Sequence, residues 1–217
     1  MSVTVVVRRE ARPGEAPALV AAMVDWIEGL AGETEPRRSA RLYQGLTDPD
    51  GVLYMADWDT RHAQMTNLAA AERYARFDAF CAEPPRRALF KQIAEQEQMG
   101  ADVAVVACML IDAAADQSAA LHAFLTREAR QAVAAHPGFV LRNVYEGLEA
   151  PHRFFVVSGW DSVEACERSR ATLTAHLEPT LRAMGATIER FIGHARAVVD
   201  HYAPPGWRGL AEPRAAT

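Results

Sequence analysis

Apolar residues recur along this chain in two rhythms that alternate. Val3–Val7 and Val103–Leu110 are short, nearly continuous β-branched runs, the pattern of strands covered on both faces. Each is followed by a stripe of helical period: Leu19, Met23, Ile27 and Leu30 after the first, Leu121, Phe124, Leu125 and Ala132 after the second. Pro17 suits the opening turn of the earlier helix, and Asp116 is the expected N-cap of the later one. Next, Arg41–Leu46 and Val52–Trp58 flank Thr47-Asp-Pro-Asp-Gly51, while Val140–Leu148 and Arg153–Trp160 flank Glu149-Ala-Pro-His152. Both read as hairpins. A second helix is expected directly after each Trp-Asp, with Asp161 as cap and Glu164 completing a capping box. Closing strands are expected over 89–98 and 187–201, and after Tyr202 the Pro- and Gly-rich tail reads as irregular.

The two passes through this pattern are copies. Residues 43–63 recur at 145–165 without a gap, and seven of the 21 paired positions are identical: Tyr, Gly, Leu, Pro, Trp, Asp and Ala. The leading runs align best at an offset of 100, Val3 on Val103. Such a period is domain-sized, far longer than a solenoid or propeller repeat. The expected organisation is therefore a first domain over 1–100, a second over 101–203 and a tail over 204–217. Each half, β-α-β-β-α-β, is the split-βαβ or ferredoxin-like unit, whose sheet carries both helices on one face. Phe154-Phe-Val-Val157 is apolar on both parities, so the other face needs cover as well. The sheet of the second copy is the expected cover. The fold class is thus α+β, tandem ferredoxin-like repeats packed sheet to sheet as a single-chain dimeric α/β barrel.

Composition narrows the partners. The formal net charge is −5, and Lys91 is the sole lysine among 23 basic residues, with the arginines scattered. No concentrated basic face exists for nucleic acid. No apolar stretch reaches the ~20 residues needed to cross a bilayer, and the N-terminus lacks the pattern of a signal peptide. Cys81, Cys108 and Cys166 form no C-x-x-C pair, which fits a reducing, cytoplasmic setting. The seven histidines include no H-x-x-x-H or H-E-x-x-H pair, so neither a metal nor another cofactor is expected. A fused pair still leaves a homodimer open.

His136-Pro-Gly-Phe139, Tyr145, Pro151 and Arg153-Phe-Phe-Val-Val-Ser-Gly-Trp160-Asp-Ser-Val-Glu-Ala165 together resemble the antibiotic-biosynthesis-monooxygenase (ABM) superfamily. The first half resembles it more weakly, through Trp58-Asp-Thr-Arg-His-Ala63. The resemblance implies the dimeric α+β barrel fold and a pocket between sheet and helices. It also implies activities that range from cofactor-free oxidation of polyketide anthrones to haem degradation. An Asn four residues before the Trp serves the oxygenase branch; Tyr54 and Val156 stand there in this chain. The haem-degrading branch uses an Asn in the first strand and a His about ten residues after the Trp. Here the strands have no Asn, and Leu68 and Arg170 occupy the His position.

Trp58 and Trp160 are the expected pocket walls, against which a flat aromatic ligand would stack. Tyr54 shares a strand face with Trp58 and is a candidate hydrogen-bond donor, with His62 as a candidate base. Tyr43, Tyr145 and Asn143 are further substrate-binding candidates. Arg142 and Asn143 face opposite sides of their strand, and Asn143 lies on the Tyr145 side. The functional expectation is a cofactor-independent monooxygenase of secondary metabolism that uses a small aromatic substrate and O2. A small-molecule carrier, or a cyclase or isomerase on the same fold, is the alternative.

Overall fold

A computed structural model of the chain describes residues 2–29, 37–59, 71–98 and 102–200. His62, Leu30, Leu68, the expected helix start after Trp58 and the tail beyond Tyr202 lie outside the described residues.

The first pass comprises β1 (Val3–Glu10), α1 (Ala16–Gly29), β2 (Arg37–Gly45), β3 (Gly51–Trp58), α2 (Ala71–Asp78) and β4 (Arg86–Glu97). The second comprises β5 (Val105–Asp112), a 3-10 turn (Ala115–Gln117), α3 (Ser118–Thr126), α4 (Glu128–Ala134), β6 (Phe139–Gly147), β7 (Arg153–Trp160), α5 (Val163–Ala183) and β8 (Thr187–Asp200). The eight strands run in the order β1-β3-β2-β8-β5-β7-β6-β4, and the ladder closes on itself into a barrel. The α+β architecture anticipated from the pattern is therefore the observed one.

Pairing in the two passes is equivalent residue for residue. Val3 lies opposite Trp58 in the β1–β3 ladder, and Val105 lies opposite Trp160 in the β5–β7 ladder. The structural offset is 102 throughout, which corrects the offset of 100 suggested by matching Val3 to Val103. Repeated valines allow a two-residue slip that preserves side-chain parity, so sequence likeness alone misplaces the strand.

By contact the chain divides into two compact units, one holding the chain up to Ala88 and again from Gly193, the other Leu89–Ile192. The crossings fall inside β4 and β8. The later part of β8, Gly193–Asp200, pairs with β2, while Phe90–Glu97 of β4 pairs with β6.

In the second unit, the helix-facing positions of the strands meet α3, α4 and α5 in one core. Val105, Ile111, Val144, Phe154, Val156 and Trp160 pack there against Leu121, Phe124, Leu125, Val133, Leu177 and Leu181. Burying such side chains contributes about 1.5–3 kcal/mol each relative to exposure. The expected stripe of Leu121, Phe124 and Leu125 is buried, but the helix is two segments, broken at Arg127 with φ −117° and ψ −76°. Asp116 is not the cap: it lies within the 3-10 turn, and α3 starts without a side-chain cap. Nor is Asp161 the cap of α5. Ser162 takes that place and accepts a hydrogen bond from the Ala165 amide at 3.3 Å.

Candidate functional site

Strand parity decides which side chains can meet a ligand beneath the helices. On β7, Phe154, Val156, Ser158 and Trp160 share the helix-covered face, and their β6 partners on that face include Val144 and Arg142. Tyr145 lies opposite Phe155 and Asn143 opposite Val157, so both belong to the other face of the sheet. Tyr145 is buried there against Phe155, with ring centroids 6.1 Å apart. Tyr43, opposite Leu53 on β2, is buried on the corresponding face of the first copy.

Among the described residues, each unit has a cavity between its sheet and its helices. In the first unit it measures about 230 Å³ and is walled by Trp58, Tyr54, Trp26, Tyr74 and Phe77, with Met23 and Val7. Trp26 of α1 organises this wall. Its ring lies 5.3 Å from Tyr54, 5.4 Å from Tyr74 and 5.5 Å from Phe77. Such tilted and edge-on contacts each add about 0.5–1.5 kcal/mol to simple burial. Two arginines line the same space, the exposed Arg87 and the buried Arg9 of β1. Arg9 is neutralised by Asp78, with Nη1 donating to Oδ1 at 2.5 Å, and its guanidinium stands 5.6 Å from the centre of the Phe77 ring. The structure thus brings Tyr54 and Trp58 together in one aromatic cavity, and neither Tyr43 nor Asn143 lines it.

The second cavity is smaller, about 90 Å³, and is lined by Trp160, Arg142, Ser158, Met109, Cys166, Leu173 and further residues of α5 and β8. Tyr145 and Asn143 do not contribute to it. Arg142 does, and it is 2% exposed. Its Nη1 donates to Ser158 Oγ at 3.1 Å, while Nε and Nη2 have no hydrogen-bond partner. Burial without a counter-charge lowers its pKa to about 10. Cys108 and Cys166 border the same cavity, and burial raises both thiols, Cys166 to about 11. Both stay neutral at physiological pH and offer no thiolate to the arginine.

Trp26, Tyr74, Phe77 and Arg142 are among the cavity residues that the reading of the sequence did not select as site residues. The first three sit on helices at positions where an aromatic reads as ordinary core. Arg142 does carry a signal, a charge inside the apolar run Phe139-Val-Leu-Arg-Asn-Val-Tyr145. Choosing between it and Asn143 requires the β6–β7 register, which contains an irregularity between Phe139 and Leu141.

The motif glycine has a local explanation. Gly138 has φ +83°, and a Cβ there would stand 2.5 Å from Ala165 Cβ and 2.7 Å from Asp161 Oδ1. Its carbonyl accepts from the Asp161 amide at 2.9 Å. The Pro-Gly-Phe and Trp-Asp-Ser segments are therefore one structural joint that fixes the end of β7 and the start of α5 beside the cavity.

A closed eight-stranded sheet lined by helices, with a tryptophan-walled cavity in each unit, defines the dimeric α+β barrel fold class. The sequence profile described as antibiotic biosynthesis monooxygenase matches residues 104–184, which lie in the second of the two passes, and over that stretch the chain is similar to that family. No curated protein matches the sequence significantly. Among solved structures, an anthrone oxidase-like protein superposes with a TM-score of 0.77 at 15% identity, covering 93% of this chain and 94% of that one. A Fusobacterium nucleatum protein with a provisional monooxygenase assignment gives 0.73 at 10% identity, with 92% and 94% coverage. A haem-degrading enzyme from Listeria monocytogenes gives 0.50 at 11% identity, with 89% and 99% coverage. At such identities the likeness is one of fold.

Proposed function

We propose that this protein is a cofactor-independent monooxygenase that oxidises a small, electron-rich aromatic of polyketide type in its first-unit cavity. The observation that supports this most is the composition of that cavity: Trp58, Tyr54, Trp26, Tyr74 and Phe77 surround a space of about 230 Å³. It exceeds the ~150 Å³ apolar cavity that accommodates benzene, so a phenolic ring system can insert its reactive end. The match of residues 104–184 to the antibiotic biosynthesis monooxygenase profile and the similarity in fold to an anthrone oxidase-like protein point the same way.

In this reading the substrate supplies the electrons. An ionised hydroxyanthrone transfers an electron to O2, and the resulting radicals combine at the activated methylene carbon. One oxygen atom remains as the new carbonyl, and the other leaves as water with the two hydrogens of the methylene. The chain has to orient the ring, favour the anion and exclude water. Trp58 and Trp26 provide flat walls, and the Tyr54 hydroxyl donates to the ionised oxygen. Arg9, already balanced by Asp78, keeps the floor of the cavity polar without fixing an unpaired charge there.

Oxygen uptake with a hydroxyanthrone tests this. Wild-type protein is expected to consume one O2 per quinone formed, and Tyr54→Phe to lower kcat about 10²-fold, the scale for losing one donor to a developing oxyanion. Trp58→Ala is expected to raise KM at least tenfold. Saturable binding without O2 uptake above background would instead make the protein a carrier.

A further inference from the structure

We infer that the cavity of the second unit is a separate binding site for a small organic carboxylate, anchored by the free edge of Arg142. The inference does not depend on the oxygenase reading of the first unit.

Three polar atoms on this cavity's residues are buried without a partner: Arg142 Nε, Arg142 Nη2 and Trp160 Nε1. All three are donors. A set made only of donors calls for an acceptor, and a buried guanidinium calls for a negative one. Nε and Nη2 form the planar side fork of arginine, the edge that grips both oxygens of a carboxylate. The chain shows the fork in use elsewhere. Arg153 donates from Nε to Asp112 Oδ1 at 2.7 Å and from Nη2 to Oδ2 at 3.0 Å.

Among the described residues, no group around Arg142 fills the role. Its guanidinium donates from Nη1 to the neutral Ser158 hydroxyl. The other ionisable groups that line the cavity are Cys108, Cys166, Arg170, Glu178 and Arg190. The two thiols are held neutral by burial. Glu178 is taken by Arg190 at 2.9 Å and Arg182 at 3.5 Å, and those partners hold its carboxyl below the usual range. Arg190 and Glu178 balance one another in the lining, while Arg170 adds further positive charge and favours entry of an anion.

The first copy supplies a contrast. The 102-residue offset puts Ala40 and Ala56 where the second copy has Arg142 and Ser158, and each is the strand partner of the other. The arginine and the hydroxyl that holds it are thus present as a pair or absent as a pair. The buried arginine of the first copy's cavity, Arg9, has its carboxylate in Asp78. A buried arginine here comes with a counter-ion or, in the second copy, with a place for one.

Size limits the ligand. About 90 Å³ is well below the ~150 Å³ that holds benzene, so the space suits a carboxylate head with a short apolar chain against Leu173, Leu177 and Met109. The free nitrogens are shielded from water, so admission requires this wall to yield.

The test is a titration of the full-length protein with propionate and butyrate, with propionamide and butyramide as uncharged isosteres and inorganic phosphate as a non-planar anion. Binding is read by calorimetry and by the NMR signals of arginine Nε–H and tryptophan Nε1–H groups. The expected result is saturable millimolar binding of the two acids, at least tenfold weaker binding of the amides and of phosphate, and shifts at Arg142 and Trp160. Arg142→Met should weaken the acids at least tenfold, and Arg142→Lys, which cannot present the fork, nearly as much. Should a variant not fold, the wild-type comparison of acid with amide and the Arg142 signal decide alone. Equal affinity for acids and amides, equal affinity for phosphate, unchanged binding in a folded Arg142→Met protein, or no saturation at tens of millimolar would each overturn the assignment.

Discussion

Arg142 and Gly138 are constrained in opposite senses, the first at a cost to stability and the second in its favour. Arg142 remains charged at neutral pH although it is buried, and the lowering of its pKa to about 10 corresponds to a cost on the order of 3 kcal/mol. The sign follows from a cation whose folded-state pKa is depressed. Both states are protonated below about pH 10, so the full cost applies across the neutral range and fades only as the folded protein loses its proton above that point. Arg142→Leu is therefore expected to raise stability by about 1–3 kcal/mol, seen as a higher Tm at pH 7. A lower Tm would mean that Ser158 and the packed stem contribute more than the buried charge costs. Gly138→Ala points the other way. The positive φ and the contacts with Ala165 and Asp161 leave no room for a methyl group, and a loss of about 1–3 kcal/mol is expected in urea denaturation.

Helix ends and strand registers set the site at the next scale. α5 is bounded by devices that satisfy its terminal groups. Ser162 caps its start, and at its end Gly185, with φ +65°, lets its own amide reach the Arg182 carbonyl at 2.9 Å and the Ala186 amide reach Leu181 at 3.0 Å. These bonds fix how far α5 extends over the second cavity, to which it contributes Leu173, Leu177 and Leu181. Ser162→Ala is expected to cost about 1 kcal/mol and to speed amide exchange selectively in the first turn of α5. Exchange at Ala165 indistinguishable from wild type would exclude Ser162 as the cap. Element boundaries are largely readable from the sequence: β7 falls at Arg153–Trp160, as the apolar run after the Glu149–His152 turn indicates, and the Pro- and Asp-rich turn precedes β3. The caps are less so, because Asp161 and Ser162 are both good cap residues and Ser158-Gly-Trp-Asp-Ser does not say where the strand lets go.

At the scale of the whole molecule, the first compact unit is not a contiguous stretch of chain, whereas the second runs unbroken from Leu89 to Ile192. β2 takes its second strand partner from Gly193–Asp200, over 140 residues later in the chain. Ending the chain at Ile192 should therefore leave β2 an open edge and destabilise the first unit, while β5, β6 and β7 keep their ladders. Hydrogen exchange is expected to accelerate strongly over 39–58 in such a truncation and little over 105–160. Equal acceleration in both would show that the two units unfold as one. The diverged cavities have a consequence at this scale too: a phenolic ligand and a short carboxylate are expected to bind additively, since each would occupy its own unit.

The sequence by itself determined that there are two copies, what elements each contains and that a tryptophan ends the inner strand of both. Those properties rest on local periodicity and turn chemistry, and local periodicity survives in a single chain read once. It also singled out Tyr54 and Trp58, because two residues four apart on a strand must share a face whatever the fold. Tertiary structure alone decided which face carries a cavity, that Tyr145 and Asn143 lie on the other one, and that Arg142 stands in their place. The reason is physical. A strand's two faces are equivalent in its own sequence, and only its neighbours' register and the helices packed against it make one face a core and the other a site.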